Sequence, residues 1–192
     1  FQAKCRRWCD ENGALLIHDE VMSGFGRTGK MFGFEHEEVA GDILVLGKGL
    51  SGGVSPLSAT ITNHRVFEKF ASVSKREDSL LYGHSYSGHA VGCAAALASL
   101  EIFEKENVLE RLAPSIEALA GKLDEISRLP EVVATHRTGF VSSIEVRDSD
   151  QSENRNYGAT MGRRVAEDCW RRGLATRAIG NYVILVLPLC AT

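Results

Sequence analysis

The feature that most constrains this chain is a pair of short apolar runs, each followed by residues that can do chemistry. Ala14–Ile17 (ALLI) and Ile43–Leu46 (ILVL) have the length and composition of strands, and we predict that both are buried and parallel. Asp19 and Glu20 follow the first run, and Lys48 follows the second. Ligands of open α/β sheets bind outside the carboxyl ends of the strands. We therefore expect Asp19 and Lys48 to face one pocket.

Lys48 stands between Gly47 and Gly49, and this setting allows two interpretations. A lysine just past a strand is often a surface residue whose stem covers apolar neighbours, and spacing alone favours this interpretation. Alternatively, burial lowers the pKa of a lysine, and the free amine condenses with an aldehyde to form a Schiff base. The glycines would then let a cofactor approach the backbone. Asp19 would stabilise the positive charge on the nitrogen of a pyridine ring.

Three longer motifs extend this pattern. Residues 19–36 read DEVMSGFGRTGKMFGFEH, residues 42–53 read DILVLGKGLSGG, and residues 83–89 read GHSYSGH. Their order and spacing resemble the class III pyridoxal-phosphate-dependent aminotransferases. The resemblance covers the whole chain and favours the Schiff-base interpretation of Lys48.

The resemblance implies an α/β fold, the fold type I of pyridoxal-phosphate-dependent transferases, which is aspartate-aminotransferase-like. We expect it to be partial, with residues 1–107 forming part of the large-domain sheet. Residues 108–192 would form the linking helix and part of the small C-terminal α+β domain. Family members are more than twice as long, and their Gly-rich phosphate loop and ring-stacking aromatic residue precede the region matched here. We therefore expect a fragment that is inactive alone.

The family also implies roles for the residues of a pyridoxal 5'-phosphate site. Lys48 and Asp19 would be catalytic and would bind the cofactor, and Val21 would lie against the face of its ring. Ser85 would donate a hydrogen bond to the cofactor phosphate of the neighbouring subunit, which implies a homodimer. A serine in a turn is the simpler interpretation of Ser85.

Two arginines are candidates for substrate binding. Arg177 matches the position that family members use to hold the substrate carboxylate, for which a guanidinium fork is suited; the alternative is a surface arginine. Arg27 lies in the loop GFGRTGK, which lacks the spacing of a P-loop or a dinucleotide fingerprint. It is either a structural residue or part of the active site.

Residues 83–119 and the segment RAIGN at 177–181 resemble the biotin-synthesis branch of the family. Its members aminate 8-amino-7-oxononanoate with S-adenosylmethionine as the amino donor. Ala178 departs from the proline of that branch, which leaves the substrate open. The alternatives are a general ω-amino acid:pyruvate aminotransferase and an inactive fragment of such an enzyme.

The composition of the chain indicates which classes of binding partner and which cellular compartment to expect. The net charge of −3 gives no indication of nucleic acid or of an acidic membrane surface. The resemblance to aminotransferases implies small-molecule substrates, an amino donor and a keto acceptor. No apolar run approaches the roughly 20 residues of a membrane helix, and the start of the chain is not a signal peptide. The five scattered cysteines form no zinc site and indicate reduced thiols. We expect a cytoplasmic protein, or a mitochondrial one in a eukaryote.

Periodicity and turn residues predict the remaining elements. His18 is interpreted as a packed neighbour of the sheet rather than as a catalytic residue. The predicted helices cover residues 1–12, 64–70, 88–107, 108–127 and 157–172. The further predicted strands cover 58–62, 132–133 and 140–146, with a short strand ending at Arg177, and exposed loops are predicted at 72–79 and 148–156.

Overall fold

The computed structural model of the chain describes residues 1–71, 79–147 and 160–191. The loop predicted at 148–156 and nearly all of the one at 72–79 lie outside these residues, as does the predicted start of the last helix at 157–159. The helices are α1 (Gln2–Asn12), α2 (His64–Phe67), α3 (Ala90–Lys105), α4 (Val108–Ile126) and α5 (Met161–Arg171). The strands are β1 (Ile17–Asp19), β2 (Ile43–Leu46), β3 (Ala59–Thr62), β4 (Val132–Thr138), β5 (Val141–Val146), β6 (Arg177–Ile179) and β7 (Tyr182–Val186).

The described chain forms two compact units. The first contains residues 1–26 and 30–108, and the second contains residues 27–29 and 109–192. The segment Arg27–Gly29 therefore belongs to the second unit, although the residues on both sides of it belong to the first. None of the described helices is long and apolar enough to cross a membrane.

A three-stranded sheet organises the first unit, in the order β1-β2-β3. β1 and β2 are parallel, as predicted, with Ile17 opposite Ile43, whereas β2 and β3 are antiparallel. The prediction that Ala14–Ile17 is a buried strand is wrong: β1 begins at Ile17, and the Ile17 side chain is 55% exposed. The reason is that β1 pairs only with β2 among the described strands, so its outer edge has no neighbour there.

The core of the first unit lies where β2 meets α3. Phe25, Leu46, Leu50 and Ala96 are buried together. Phe103 of α3 meets the ring of Phe25 edge-on, with 6.4 Å between the ring centroids. Since small residues line this side of α3, the helix packs closely on the turn that follows β2.

Asp42, just before β2, forms hydrogen bonds with residues from several other parts of the first unit. Its carboxylate accepts hydrogen bonds from Arg6 of α1 (2.8 Å), from the backbone N–H of Leu16 (2.9 Å), from Asn63 (2.8 Å) and from Arg65 (2.7 Å). The Asp42 side chain is almost fully buried. The hydrogen bond from Arg6, followed by that from Leu16, holds the pKa of Asp42 far below its usual range.

The second unit contains an antiparallel sheet in the order β4-β5-β7-β6, together with α4 and α5. Phe140 and Val183 are its most deeply buried apolar residues. The strand predicted at 132–133 continues to Thr138, because its residues pair with the whole of β5. Arg177 begins β6 rather than ending a strand, so that prediction was wrong: residues 177–179 pair with β7 across the turn at Gly180.

Candidate active site

The carboxyl ends of β1 and β2 bring Asp19 and Lys48 to the same edge of the sheet. Asp19 is the last residue of β1 and lies opposite Val45 of β2. The chain runs on from Val45 through Leu46 and Gly47 to Lys48, which opens a short 3₁₀ turn, Lys48–Ser51. Both side chains are exposed. An amine and a carboxylate are therefore accessible to a ligand outside the ends of two parallel strands.

Asp19 and Val21 are held in place by local contacts. The Asp19 carboxylate accepts a hydrogen bond from the backbone N–H of Val21 at 3.0 Å. The half-buried Val21 side chain lies against Gly47, where an added Cβ would be 3.3 Å from Val21 Cγ1. Val21 therefore presents an apolar surface directly beside the residue that precedes Lys48.

Two residues of this site have an unusual backbone conformation. Lys48 has φ of 42° and Phe25 has φ of 58°, both in the left-handed region that side chains disfavour. Such conformations cost about 1–3 kcal/mol each and cluster at functional sites, where the surrounding structure enforces them. Glu38 and Asn107 also have positive φ, but both lie outside this site.

Packing restricts the residues on both sides of Lys48, and most strongly Gly49. A Cβ on Gly49 would be 2.8 Å from the Cβ of Phe25, a distance that real Cβ contacts do not reach, and 3.0 Å from its ring. A Cβ on Gly47 would be 3.3 Å from Val21 Cγ1, which is a tight contact. These glycines thus accommodate the loop that follows β1, and the approach of a cofactor to them stays a prediction.

Glu20 organises that loop, and sequence reasoning did not assign it a role. Its carboxylate is 3% exposed and accepts hydrogen bonds from Ser23 Oγ and from the backbone N–H groups of Gly33 and Phe34, the latter two at 2.9 Å. Alternation along a strand places Glu20 on the opposite face from Asp19. That alternation is the signal by which a buried role could have been predicted.

His18 is a packed residue, as predicted. Its ring stacks on Phe34 with 5.4 Å between the ring centroids, and its Nε2 lies 2.8 Å from the carbonyl oxygen of Val39. Both contacts are structural, because they bind the imidazole to Phe34 and to the backbone at Val39.

Ser85 lies in an exposed turn ahead of α3. The turn is closed by hydrogen bonds from the Ser87 backbone N–H to the His84 carbonyl oxygen and from the His84 N–H to Ser87 Oγ, at 3.0 and 3.1 Å. Ser87 rather than Ser85 is thus the serine that stabilises the turn. The Ser85 side chain is exposed and accessible to a ligand.

Arg27 makes a structural contact within the second unit. Its guanidinium donates a hydrogen bond to the backbone carbonyl oxygen of Leu187, and burial lowers its pKa. The carbonyl oxygen of Arg27 accepts a hydrogen bond from the N–H of Phe140 at 3.0 Å. The structural interpretation left open by the sequence is therefore supported by contacts on both its side chain and its backbone.

Arg177 is exposed at the start of β6, opposite Ile184 of β7. Arg177 and Arg27 both belong to the second unit, whereas Lys48, Asp19, Val21 and Ser85 belong to the first. Within the first unit, the end of the parallel strand pair brings together Asp19, Val21 and Lys48.

The cluster formed by Asp19, Val21 and Lys48 fits a pyridoxal phosphate group. Lys48 offers an exposed amine on a backbone that lies in the left-handed region, between two closely packed glycines. Asp19 offers a carboxylate for a ring nitrogen, and Val21 an apolar surface for a ring face. The same set has no arrangement typical of a metal site, and the described residues contain no group of three or more candidate metal ligands.

Comparison with known proteins identifies the family of the chain. The sequence profile of the family described as aminotransferase class-III matches residues 1–192. The chain belongs to the class-III aminotransferase family. This is a pyridoxal-phosphate-dependent family, and the resemblance drawn from the three motifs is thereby confirmed.

Two curated relatives of this class-III aminotransferase chain are named adenosylmethionine-8-amino-7-oxononanoate aminotransferase. The one from Methanocaldococcus jannaschii is 44% identical over 189 residues, which cover 96% of this chain and 41% of the relative. The one from Aquifex aeolicus is 42% identical over 176 residues, which cover 91% of this chain and 39% of the relative. The chain thus spans about 40% of the length of these curated relatives.

Solved structures show the same fold. The structure of the Methanocaldococcus jannaschii enzyme matches with a TM-score of 0.88 at 43% identity, over 97% of this chain and 44% of that one. The omega transaminase from Pseudomonas jessenii, in complex with PMP, matches with a TM-score of 0.89 at 35% identity, over 100% of this chain and 42% of that one. The chain therefore has part of the α/β aminotransferase fold, as predicted.

Proposed function

We propose that the protein is a pyridoxal-phosphate-dependent aminotransferase that uses Lys48 as its cofactor-binding amine. The observation that carries this proposal is the strained Lys48 at the carboxyl end of β2, beside the Asp19-bearing end of β1. Membership of the class-III family indicates the reaction type. Asp19 and Lys48, at neighbouring strand ends, supply the carboxylate and the amine that such a reaction needs.

Each residue of the cluster then has a chemical role. The Lys48 amine would hold the aldehyde carbon of the cofactor and would also move a proton at the substrate carbon. The Asp19 carboxylate would stabilise positive charge at the ring nitrogen, and the Val21 side chain would pack against the face of the ring. When bound, the cofactor supplies an electron sink for negative charge on that carbon.

The remaining predicted residues have supporting roles in this proposal. Ser85 would donate its hydroxyl to the phosphate of the neighbouring subunit's cofactor in a homodimer. Arg177 would bind the carboxylate of the substrate through its exposed guanidinium. Arg27 is the weaker candidate for that role, because its guanidinium already donates to Leu187.

We propose 8-amino-7-oxononanoate as the amino acceptor and S-adenosylmethionine as the donor, which would make the protein an enzyme of biotin biosynthesis. Support comes from the names of the curated relatives at 44% and 42% identity. The second candidate is a general ω-amino acid:pyruvate aminotransferase. It is supported by the omega transaminase of Pseudomonas jessenii, which covers the whole chain with a TM-score of 0.89.

The test is a substrate comparison in the protein at its full natural length. With pyridoxal phosphate added, we expect amination of 8-amino-7-oxononanoate by S-adenosylmethionine to exceed amination of pyruvate by ω-amino acids. Faster use of ω-amino acids would favour the second candidate. Absence of both reactions in the full-length protein would contradict the proposed function, whereas activity at full length that is absent from the 192-residue chain would support the third interpretation, an inactive fragment of such an enzyme.

A further inference from the structure

The buried Glu20 carboxylate is a feature of the site that the proposed chemistry does not use. It accepts three hydrogen bonds, from Ser23, Gly33 and Phe34. A buried carboxylate is costly unless such bonds compensate for its lost hydration, and bonds to a charged acceptor are the stronger kind. Two of the donors lie 13 and 14 residues further along the chain. Glu20 therefore closes the loop that runs from the end of β1 to Phe34.

The closed loop fits tightly around Glu20. A Cβ on Gly33 would be 3.2 and 3.3 Å from the two carboxylate oxygens, and one on Gly24 would be 2.8 Å from the Glu20 carbonyl oxygen. The Gly24 N–H donates to that same carbonyl oxygen at 3.0 Å. Gly33 therefore allows the close approach of the loop to the Glu20 carboxylate, and Gly24 allows its close approach to the Glu20 backbone.

The same loop carries the two side chains that flank Lys48. Val21 lies against Gly47, and Phe25 lies against Gly49, with added Cβ atoms at 3.3 and 2.8 Å respectively. Phe25 is itself fixed, because it is 3% exposed and its N–H donates to the Met31 carbonyl oxygen at 2.7 Å. A shift of the loop would therefore remove the packing on both sides of Lys48.

We propose that Glu20 is a positioning residue for Lys48. Its carboxylate closes the loop, and the closed loop packs against Gly47 and Gly49 and so holds Lys48, which lies between them, in its left-handed conformation. Glu20 touches neither substrate nor cofactor in this account. The consequence for catalysis rests on the proposed function, whereas the effect on the backbone does not.

The primary test is amide hydrogen exchange in a Glu20→Gln variant. The glutamine side chain keeps the size of Glu20 but has one acceptor oxygen, and its NH₂ group would meet a backbone N–H donor. We expect faster exchange at Gly33 and Phe34, and also at Leu50 and Gly52, whose N–H groups close the turn at Lys48. An increase of about tenfold corresponds to the loss of one net hydrogen bond.

Asp42→Asn is the matched control, because it also removes a buried carboxylate of the first unit but lies outside the loop. After correction for the change in unfolding free energy, it should leave exchange at Leu50 and Gly52 unchanged. Faster exchange at Gly33 and Phe34 alone, or equal effects of the two variants at Leu50 and Gly52, would overturn the proposal.

Two further measurements keep the test decisive. If Glu20→Gln does not fold, Ser23→Ala removes a single donor to the carboxylate and should give a smaller effect at the same amides. Covalent capture of pyridoxal phosphate at Lys48, measured after borohydride reduction, should be slower in Glu20→Gln than in Asp42→Asn. If the parent protein shows no capture, the proposed function fails, while amide exchange still decides the role of Glu20.

Discussion

Asp19 and Val45 are direct partners in the parallel pairing of β1 and β2, and this relationship sets the geometry of the site. The neighbouring Glu20 N–H donates to the Val45 carbonyl oxygen at 2.9 Å, so the hydrogen bonding between the two strands extends one residue past Asp19. Lys48 follows Val45 after two residues. Strand register thus brings the residues that carry the carboxylate and the amine to neighbouring strand ends, and the loop after β1 packs against the glycines on both sides of Lys48.

Asp19→Asn tests the role of the carboxylate. An amide cannot stabilise a positive ring nitrogen as a carboxylate does, so we expect bound cofactor but turnover lowered on the order of 100-fold. The measurement is steady-state turnover together with cofactor content. Near-normal turnover would show that Asp19 does not serve the ring nitrogen.

Gly49→Ala tests the packing beside Lys48. The new Cβ would be 2.8 Å from Phe25, and relieving this contact should cost about 1–3 kcal/mol of unfolding free energy and reduce cofactor capture. Gly83→Ala is the control, since nothing lies within 4 Å of its Cβ position. Equal free energies of unfolding of the two variants in urea would contradict the close contact between residue 49 and Phe25.

Gly139→Ala tests the attachment of residues 27–29 within the second unit. Gly139 has φ of 58°, and its added Cβ would be 2.3 Å from the carbonyl carbon of Thr28. We expect a loss of about 3 kcal/mol in unfolding free energy. By contrast, Gly121→Ala in α4 has open space around it and should be stabilising by up to about 1 kcal/mol. A neutral Gly139→Ala would mean that this close approach is absent in solution.

Asp42 makes the free energy of unfolding of the first unit depend on pH in the acid range. Its pKa is lowered in the folded state by the hydrogen bond from Arg6 and those that follow it. Its stabilising contribution is therefore complete above the unfolded pKa of about 3.9 and is lost as the pH falls towards the lower, folded-state pKa.

Urea unfolding between pH 6 and pH 2 should show this loss. Asp42→Asn should flatten the acid part of the curve and lower the unfolding free energy at pH 6 by about 2–4 kcal/mol. The same acid slope in parent and variant would assign the effect to other carboxylates.

Some elements were predicted from the sequence more accurately than others, and the differences have physical reasons. β2 was placed at its true bounds because ILVL is an unbroken apolar run between turn residues. β1 was placed three residues early, since ALLI has the same apolar character but pairing with β2 begins only at Ile17. The helix at residues 88–107 was close to α3, because its small and apolar residues are uninterrupted.

The candidate site was predicted in part. Asp19 and Lys48 were placed at neighbouring strand ends, since that follows from short apolar runs and parallel pairing. The roles of Glu20 and Phe25 were not predicted, because they depend on a loop that returns to the sheet over more than ten residues. Alternation past β1 indicates that the Glu20 side chain is buried, but the partners that it contacts leave no periodic trace in the sequence. The assigned roles of Lys48, Asp19, Val21, Ser85, Arg27 and Arg177 stay predictions.

The central claim is that Lys48 is the amine that binds the cofactor. The most direct measurement is to add pyridoxal phosphate to the protein at its full natural length, reduce it with borohydride and locate the adduct by peptide mass spectrometry. We expect the adduct on Lys48 in the parent and in a Lys30→Ala control, and its loss in Lys48→Ala. An adduct that persists in Lys48→Ala, or that lies mainly on another lysine of the parent, would contradict the claim.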